Sequence, residues 1–406
     1  MRVIAFDTET SLIRPGCTAP ALTCLTYEEQ GTDGAHICLQ DEAKDVVRGW
    51  LLDSDVRIVG HNVAFDMAVL CAEHPELLPL TFKAYAEDRI TDTMIRAKLS
   101  DIARGIYRGR MGDEGKWIKI GYSLAECARR YAGLPIKKEG FRLFYGPLRG
   151  VPIEEWAEAA RALQVRGAIW LAGGEDAELE HLAACFGDRE KFRKETAGMI
   201  AADPSEVVTY PVDDARATLA VWAAQEAWGE ASPDEFRQAR KAWALHLTSA
   251  WGLRTNGHAV NELQRETEAQ CEALREALQR EGLIRADGSR DTAKAKERML
   301  AVCGWVLDEE SKTFVEARVS RDGEDEVIPL RLTDSGELSL DADACKATGD
   351  EVLRNYARLT SLKAVLNKDI PMLVKGTVHP VHTRFDMAET ARVTSSSPNI
   401  QNIKRM

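Results

Sequence analysis

The most constraining feature of the chain lies in its first ten residues. Met1-Arg-Val-Ile-Ala-Phe6 is an apolar run that reads as a short buried strand, and it leads directly into Asp7-Thr8-Glu9-Thr10. Alternate residues of a strand share a face, so Asp7 and Glu9 emerge side by side at the end of that strand. Bare carboxylates so placed repel and raise one another's pKa. A divalent cation removes the conflict, because hard Mg²⁺ takes carboxylate oxygens and keeps open positions for a substrate phosphate. A strand running out into a polar loop would show the same two residues, so the pair acquires meaning only from what the rest of the chain offers.

Composition narrows the classes. With 406 residues and 45% hydrophobic content, the chain can build two or three domains with ordinary cores. No apolar run approaches the ~18–20 residues of a membrane span, and the first residues show neither a basic nor an apolar segment of a signal peptide. The nine cysteines are scattered and include no C-x-x-C pair. That argues for a reducing cytoplasm and against a disulfide framework or a zinc ribbon. A net charge of −12 is unusual for a nucleic-acid binder. The charge is unevenly spread, however: residues 352–406 hold nine basic against three acidic residues. Residues 89–149 are also rich in Arg and Lys.

Along the chain, Leu22–Tyr27 and Ala35–Leu39 read as two further strands joined through a polar, Gly-containing turn. Asp41–Leu52 has helical spacing, Val56–Val59 is a fourth strand ended by Gly60, and a helix is expected over 63–71. The succession suggests a mixed α/β sheet with helices packed on it. At the junction Gly60-His61-Asn62-Val63-Ala64-Phe65-Asp66, Asn62 is placed to cap the helix. Asp66 follows one turn later and can face the same point as Asn62. Strand ends of this kind bind ligands in open α/β sheets. Ile90-Thr-Asp92 leads into a helix through Leu99, Ser123-x-x-Glu126 fits a capping box, and Ile153–Leu163 is expected to be helical with Trp156 as its anchor. In Tyr210-Pro-Val-Asp213-Asp214, Tyr210 and Asp214 are four apart and share a face if a helix begins near them, with Pro211 suited to its first turn.

D-x-E on the first strand, N-x-x-x-D after a later strand and Y-x-x-x-D on a later helix occur in that order. The set resembles the exonuclease motifs of the DEDD superfamily, tyrosine subtype, found in the 3′→5′ proofreading domain of family-A (Pol I-like) DNA polymerases. Further stretches resemble the polymerase region of that family. They are Ala244–Asn256, the long amphipathic helix expected over Asn261–Glu281, Leu330–Ser339, and above all Thr390-Ala-Arg392-Val-Thr-Ser-Ser-Ser397-Pro-Asn399-Ile-Gln401-Asn402-Ile403.

The resemblance implies an α/β fold: a ribonuclease H-like mixed β-sheet exonuclease domain over 1–225, followed by a mostly α-helical, thumb-like partial polymerase region over 226–406. It implies two-metal hydrolysis at DNA 3′ ends with two Mg²⁺ or Mn²⁺ ions. Asp7, Glu9, Asp66 and Asp214 would hold the metals, and Tyr210 would aim the attacking water. Thr8, Asn62, Phe65, Lys363, Arg392, Asn399, Gln401 and Asn402 would contact a single-stranded 3′ end or primer-template. Asp92 and Asp213 are read as structural neighbours.

Three departures stand out. The palm strand D-Y-S-x-I-E-L-R is absent from the 406 residues, so no DNA synthesis is expected of them alone, and a separate palm and fingers polypeptide is a conceivable partner. Residues 161–209 look like an insertion before Tyr210, readable as a surface elaboration or as a lid over the cleft. Ala357 and Ser361 stand where the family has Arg and Lys. A non-catalytic DNA-binding or assembly subunit of a split polymerase is the competing reading. The size and truncated look fit a phage-encoded protein of the bacterial cytoplasm.

Overall fold

The computed structural model describes the chain except residues 15–16, 33, 108, 112–114, 137–139, 187, 309–312, 317–327, 334, 402 and 404–406. Asn402, together with Asp334, Lys404 and Arg405 of the stretches above, lies outside the described residues.

The N-terminal half opens with β1 (Arg2–Thr10), β2 (Leu22–Glu29), β3 (His36–Leu39), α1 (Gln40–Leu52), β4 (Val56–Gly60), α2 (Val63–Glu73), α3 (Leu78–Ala86), β5 (Ile90–Asp92) and α4 (Thr93–Ala103). A short hairpin of β6 (Gly109–Met111) and β7 (Trp117–Lys119) follows, then the short helices α5 (Leu124–Cys127) and α6 (Tyr145–Leu148). The helices α7 (Trp156–Leu171), α8 (Ala177–Phe186), α9 (Arg189–Ala201), α10 (Thr209–Ala227) and α11 (Glu235–Trp251) come next. The remainder comprises α12 (Gly257–Arg280), α13 (Thr292–Cys303), β8 (Trp305–Asp308), β9 (Thr313–Glu316), α14 (Ala342–Ala347), α15 (Glu351–Ala364), α16 (Ile370–Val378), β10 (Arg384–Met387) and β11 (Val393–Ser396). No helix among the described residues is long and apolar enough to cross a membrane. The architecture is mixed α/β at the N-terminus with a helical C-terminal region, as the sequence predicts.

The chain forms two compact units. One comprises Met1–Leu253 with His382–Gln401, and the body of the other is Arg254–Val381. The first is built on a five-stranded sheet in the order β3-β2-β1-β4-β5. β1 runs antiparallel to β2 and parallel to β4.

The side-chain parity of β1 decides what each face meets. Ile4 and Phe6 point into the core shared with Val47 and Trp50 of α1 and Met67 of α2. Val3 and Ala5 point the other way, against Trp222 of α10. Both faces of the strand are therefore covered, which is why its apolar run is nearly continuous rather than alternating.

Residues 161–209 form no loose elaboration. Leu163 and Trp170 of α7, Leu179 and Ala183 of α8, and Phe192 and Met199 of α9 are buried in one cluster with Phe144 and Tyr145. Cys24 of β2 belongs to the same cluster, so this segment shares its core with the sheet.

Buried ion pairing holds α11 to this unit. Arg96, 1% exposed, makes two bonds of 2.8 Å to Glu235 and a further one to Glu226. The β10–β11 hairpin also packs here: Met387 and Ala391 lie against the sheet core, and Lys98 pairs with Asp386 at 2.8 Å.

In the second unit, the helix starts follow the local chemistry of their caps. Asn256, Asp291, Asp341 and Asp350 each accept a backbone N–H of the first turn of α12, α13, α14 and α15. Arg298 of α13 binds the Asp350 carboxylate at 2.9 Å, joining two of these helices.

Candidate active site

The parity that sends Val3 and Ala5 towards α10 continues to the end of β1, so Asp7 and Glu9 emerge on the α10 face. Asp214, one turn into α10, meets them there. One carboxylate oxygen from each of Asp7, Glu9 and Asp214 lies within 4.8 Å of the other two. Two residues half-buried and one buried, all offering hard oxygen donors, form the kind of set that takes a divalent cation.

The start of α10 is tied to β2, the strand paired with this strand end. Thr26 sits opposite Asp7 in the β1–β2 register. Its fully buried hydroxyl donates to the Pro211 carbonyl at 2.8 Å. The tie falls between Tyr210 and Asp214, the two residues of α10 singled out by the sequence.

Tyr210 is packed against two aromatic rings. Its centroid lies 4.7 Å from that of Phe141 at 19° between planes, and 6.1 Å from that of Tyr145 at 30°. Burial raises the Tyr210 phenol pKa far above its ordinary value, and the charges of Asp214, Glu9 and Asp7 raise it further. The side chain is therefore a neutral phenol at any physiological pH, able to donate a hydrogen bond.

The even residues of β1 look to the opposite face. Thr8 points to α2, where its hydroxyl and its backbone N–H both donate to Asp66 Oδ1, at 2.6 and 3.2 Å. Burial pushes the Asp66 carboxyl up to about 7 against the lowering effect of these two bonds. Asp66 thus approaches the strand end from the other side of the sheet. It is not one of the three gathered carboxylates.

Asn62 occupies the cap position of α2, but its side chain makes no capping bond. It lies in the left-handed region at φ 66° with an exposed side chain. The cap comes from a distant residue. Asp92, at the end of β5, accepts the backbone N–H groups of Asn62 and Val63, each at 3.1 Å. It also caps its own helix, accepting from Met94 and Ile95 of α4. The Asn62 cap expected from the sequence is therefore replaced by one carboxylate serving two helix starts. Gly60 permits the tight strand-to-helix turn, since a Cβ there would lie 2.7 Å from the Val63 side chain.

The remaining predicted residues are dispersed. Phe65 packs edge-on to His246, with centroids 6.1 Å apart. Asp213 is exposed, 3.5 Å from Arg216. Arg392 is exposed in the turn between β10 and β11. Asn399 accepts from the Ser395 hydroxyl at 3.0 Å, and the Gln401 N–H donates to the same hydroxyl at 3.1 Å. Lys363 lies in the last turn of α15, in the second unit. Thr26, Phe141 and Tyr145 escaped the sequence reading. Thr26 becomes visible only once its register with Asp7 is known. The Phe141-Arg-Leu-Phe-Tyr145 run carried an aromatic signal but no chemistry of its own.

Residues 1–161 match the family model described as 3′-5′ exonuclease, the exonuclease of DNA polymerase A. The N-terminal region is a 3′-5′ exonuclease domain of the family-A DNA polymerase type. The matched span contains Asp7, Glu9 and Asp66, whereas Tyr210 and Asp214 fall beyond it and are brought to the end of β1 by the packing of α10. Divalent metals are the general requirement of this exonuclease family, and the acidic cluster fits one. No curated protein matches the chain. Among solved structures, one similar to it is "POL domain of Pol1 from M. smegmatis complex with DNA primer-template and dNTP", with a TM-score of 0.48 and 15% sequence identity. The alignment covers 99% of this chain and 52% of that one, so the chain spans about half the length of that structure's chain.

Proposed function

We propose that this chain hydrolyses the terminal phosphodiester of a DNA strand at its 3′ end, releasing nucleoside 5′-monophosphates, as the proofreading exonuclease of a family-A polymerase. The observation that carries the reading is the meeting of Asp7, Glu9 and Asp214 carboxylates beside a clamped, neutral Tyr210.

Asp7, Glu9 and Asp214 would hold the metal site, with Asp66 at its margin. Divalent cations such as Mg²⁺ or Mn²⁺, if held by these carboxylates, would supply Lewis acidity for activating water and offsetting charge on the leaving oxygen. Tyr210, as a phenol, donates or accepts a hydrogen bond to orient the attacking water and takes no proton itself. Thr8 fixes the rotamer of Asp66 by two bonds to one carboxylate oxygen. A single-stranded end is the preferred substrate, because unpaired nucleotides must be drawn down to the carboxylates.

Residues 226–406 are read as thumb and palm entry from their sequence stretches alone, with Arg392, Asn399 and Gln401 contacting primer-template. All nine cysteines are free, which suits a reducing cytoplasm.

The test is digestion of a 3′-labelled single strand with Mg²⁺ or Mn²⁺. Asp7→Ala and Asp214→Ala should each abolish nucleotide release while the far-UV spectrum stays that of the parent chain. Cleavage at the parent rate by either variant would sink the assignment. Tyr210→Phe should lower turnover with little change in DNA affinity.

A further inference from the structure

Tyr210 sits in the first turn of a helix, where an aromatic ring with two free torsions has no reason of its own to hold one orientation. The chain surrounds it with a layered support. Phe141, 2% exposed, stacks nearly parallel on the ring at 4.7 Å. The Tyr145 ring lies 6.1 Å from that of Tyr210 and is itself anchored twice. Its hydroxyl donates to the Val207 carbonyl at 3.1 Å, and its own carbonyl accepts from Thr23 at 2.6 Å.

The segment carrying Phe141 rests in turn on α9. Gly140 has φ +90°, and a Cβ there would stand 2.4 Å from the Gly198 carbonyl oxygen, so the two backbones touch with no side chain between them. The C-terminal end of α9 is held by Gln164 of α7, whose amide donates to the Met199 and Ala202 carbonyls at 2.9 and 2.7 Å. A continuous line of contact therefore runs from α7 through α9 and Gly140 to Phe141 and the ring of Tyr210.

We propose that Phe141 is a positioning residue for Tyr210, and that α7–α9 serve the reaction by seating Phe141 through the Gly140–Gly198 contact. The inference rests on the exonuclease reading above, in which Tyr210 orients the attacking water. It assigns residues 161–209 a role in the geometry of that step rather than in covering the cleft. A water-orienting phenol displaced by a fraction of an ångström loses much of its effect, so loss of the stack should cost about 10-fold in turnover.

The experiment is a double-mutant cycle on the full chain, with single-stranded DNA as substrate. Phe141→Leu should lower kcat while leaving KM and single-strand affinity near the parent values. Combined with Tyr210→Phe, it should add little further loss, because both act through one group. A purely structural role would give independent, multiplying losses and would overturn the inference. 3-Fluorotyrosine labelling supplies a readout apart from activity. The fluorine signal assigned to position 210 by its disappearance in Tyr210→Phe should shift or broaden in Phe141→Leu, and an unchanged signal also counts against the proposal. Gly198→Val, at a half-buried helix position, presses on the same contact from outside and carries the test if Phe141→Leu does not fold. A parent rate in Tyr210→Phe would overturn the role of Tyr210 itself. A Tyr210→Phe loss that neither Phe141→Leu nor Gly198→Val shares would overturn only the present inference.

Discussion

Thr26 shows how a single hydroxyl can decide a site it does not belong to. It lies opposite Asp7 on β2 and donates to the carbonyl of Pro211, so the neighbour of the strand bearing two carboxylates holds the helix bearing the third by one buried bond. Valine has the same shape without the donor. Thr26→Val removes this bond while the Pro211 carbonyl keeps its place in the α10 ladder, and should cost about 0.5–1.5 kcal/mol of stability, read from denaturant midpoints. Turnover on single strands should fall by more than the small loss of folded protein accounts for, since the start of α10 is no longer pinned to β2 opposite Asp7. A variant with parent stability and parent turnover would show that packing alone holds α10.

At the scale of elements, the helix starts near the site are set by carboxylates reaching across the chain. Asp92 accepts from Asn62 and Val63 of one helix and from Met94 and Ile95 of another. Asp92→Ala removes two caps at once and should destabilise the unit by about 1–4 kcal/mol, twice the usual single-cap cost, measured by thermal or urea unfolding. A cost below that of one cap would mean that water replaces the carboxylate.

Asp176 plays a similar part for α8. It accepts the Leu179 N–H at 3.0 Å and pairs with Arg166 at 2.7 Å. The hydrogen bond from Arg166 is the largest cause holding its carboxyl down at about 2, against an ordinary value of 3.8. Because the folded-state value is the lower one, the stabilisation is complete above the unfolded value and is lost as pH falls from 3.8 towards 2. Parent and Asp176→Asn proteins should therefore differ in unfolding free energy by a constant amount above about pH 5 and converge near pH 2. A gap that persists unchanged at pH 2 would assign the difference to packing.

At the scale of the whole molecule, the exonuclease unit is not a single run of chain. His382–Gln401 belongs to it, with Met387 and Ala391 against the sheet core and the Ser249 carbonyl 2.8 Å from His382 Nδ1. A chain ending at Leu253 lacks these contacts. It should melt at a lower temperature than a chain in which Leu253 is joined to His382 by a short Gly/Ser linker and continued to Gln401. The closeness of Ser249 and His382 makes that join feasible. Equal melting temperatures would show that the hairpin contributes nothing to the unit's stability. The buried Arg96–Glu235 pair is present in both chains, so it does not bias the comparison.

Much of this was legible in the residues themselves. The apolar run of β1 and the i, i+2 spacing of Asp7 and Glu9 state their own parity. The capping box of Ser123 and Glu126 forms as written, and Tyr210 and Asp214 fall on one helix, four apart. These are local properties, settled within one turn or two strand residues by backbone geometry. The tertiary structure decided what lies beyond that range. It brought α10 to the odd face of β1 and Asp66 to the even face, and it gave the cap of α2 to Asp92 rather than Asn62. It also folded residues 161–209 into the core behind Tyr210 and returned the β10–β11 hairpin to the exonuclease unit. None of these follows from neighbouring residues, because each depends on which apolar surfaces, far apart in the chain, are buried against one another. That choice is made by packing the whole and leaves no periodic trace in the sequence.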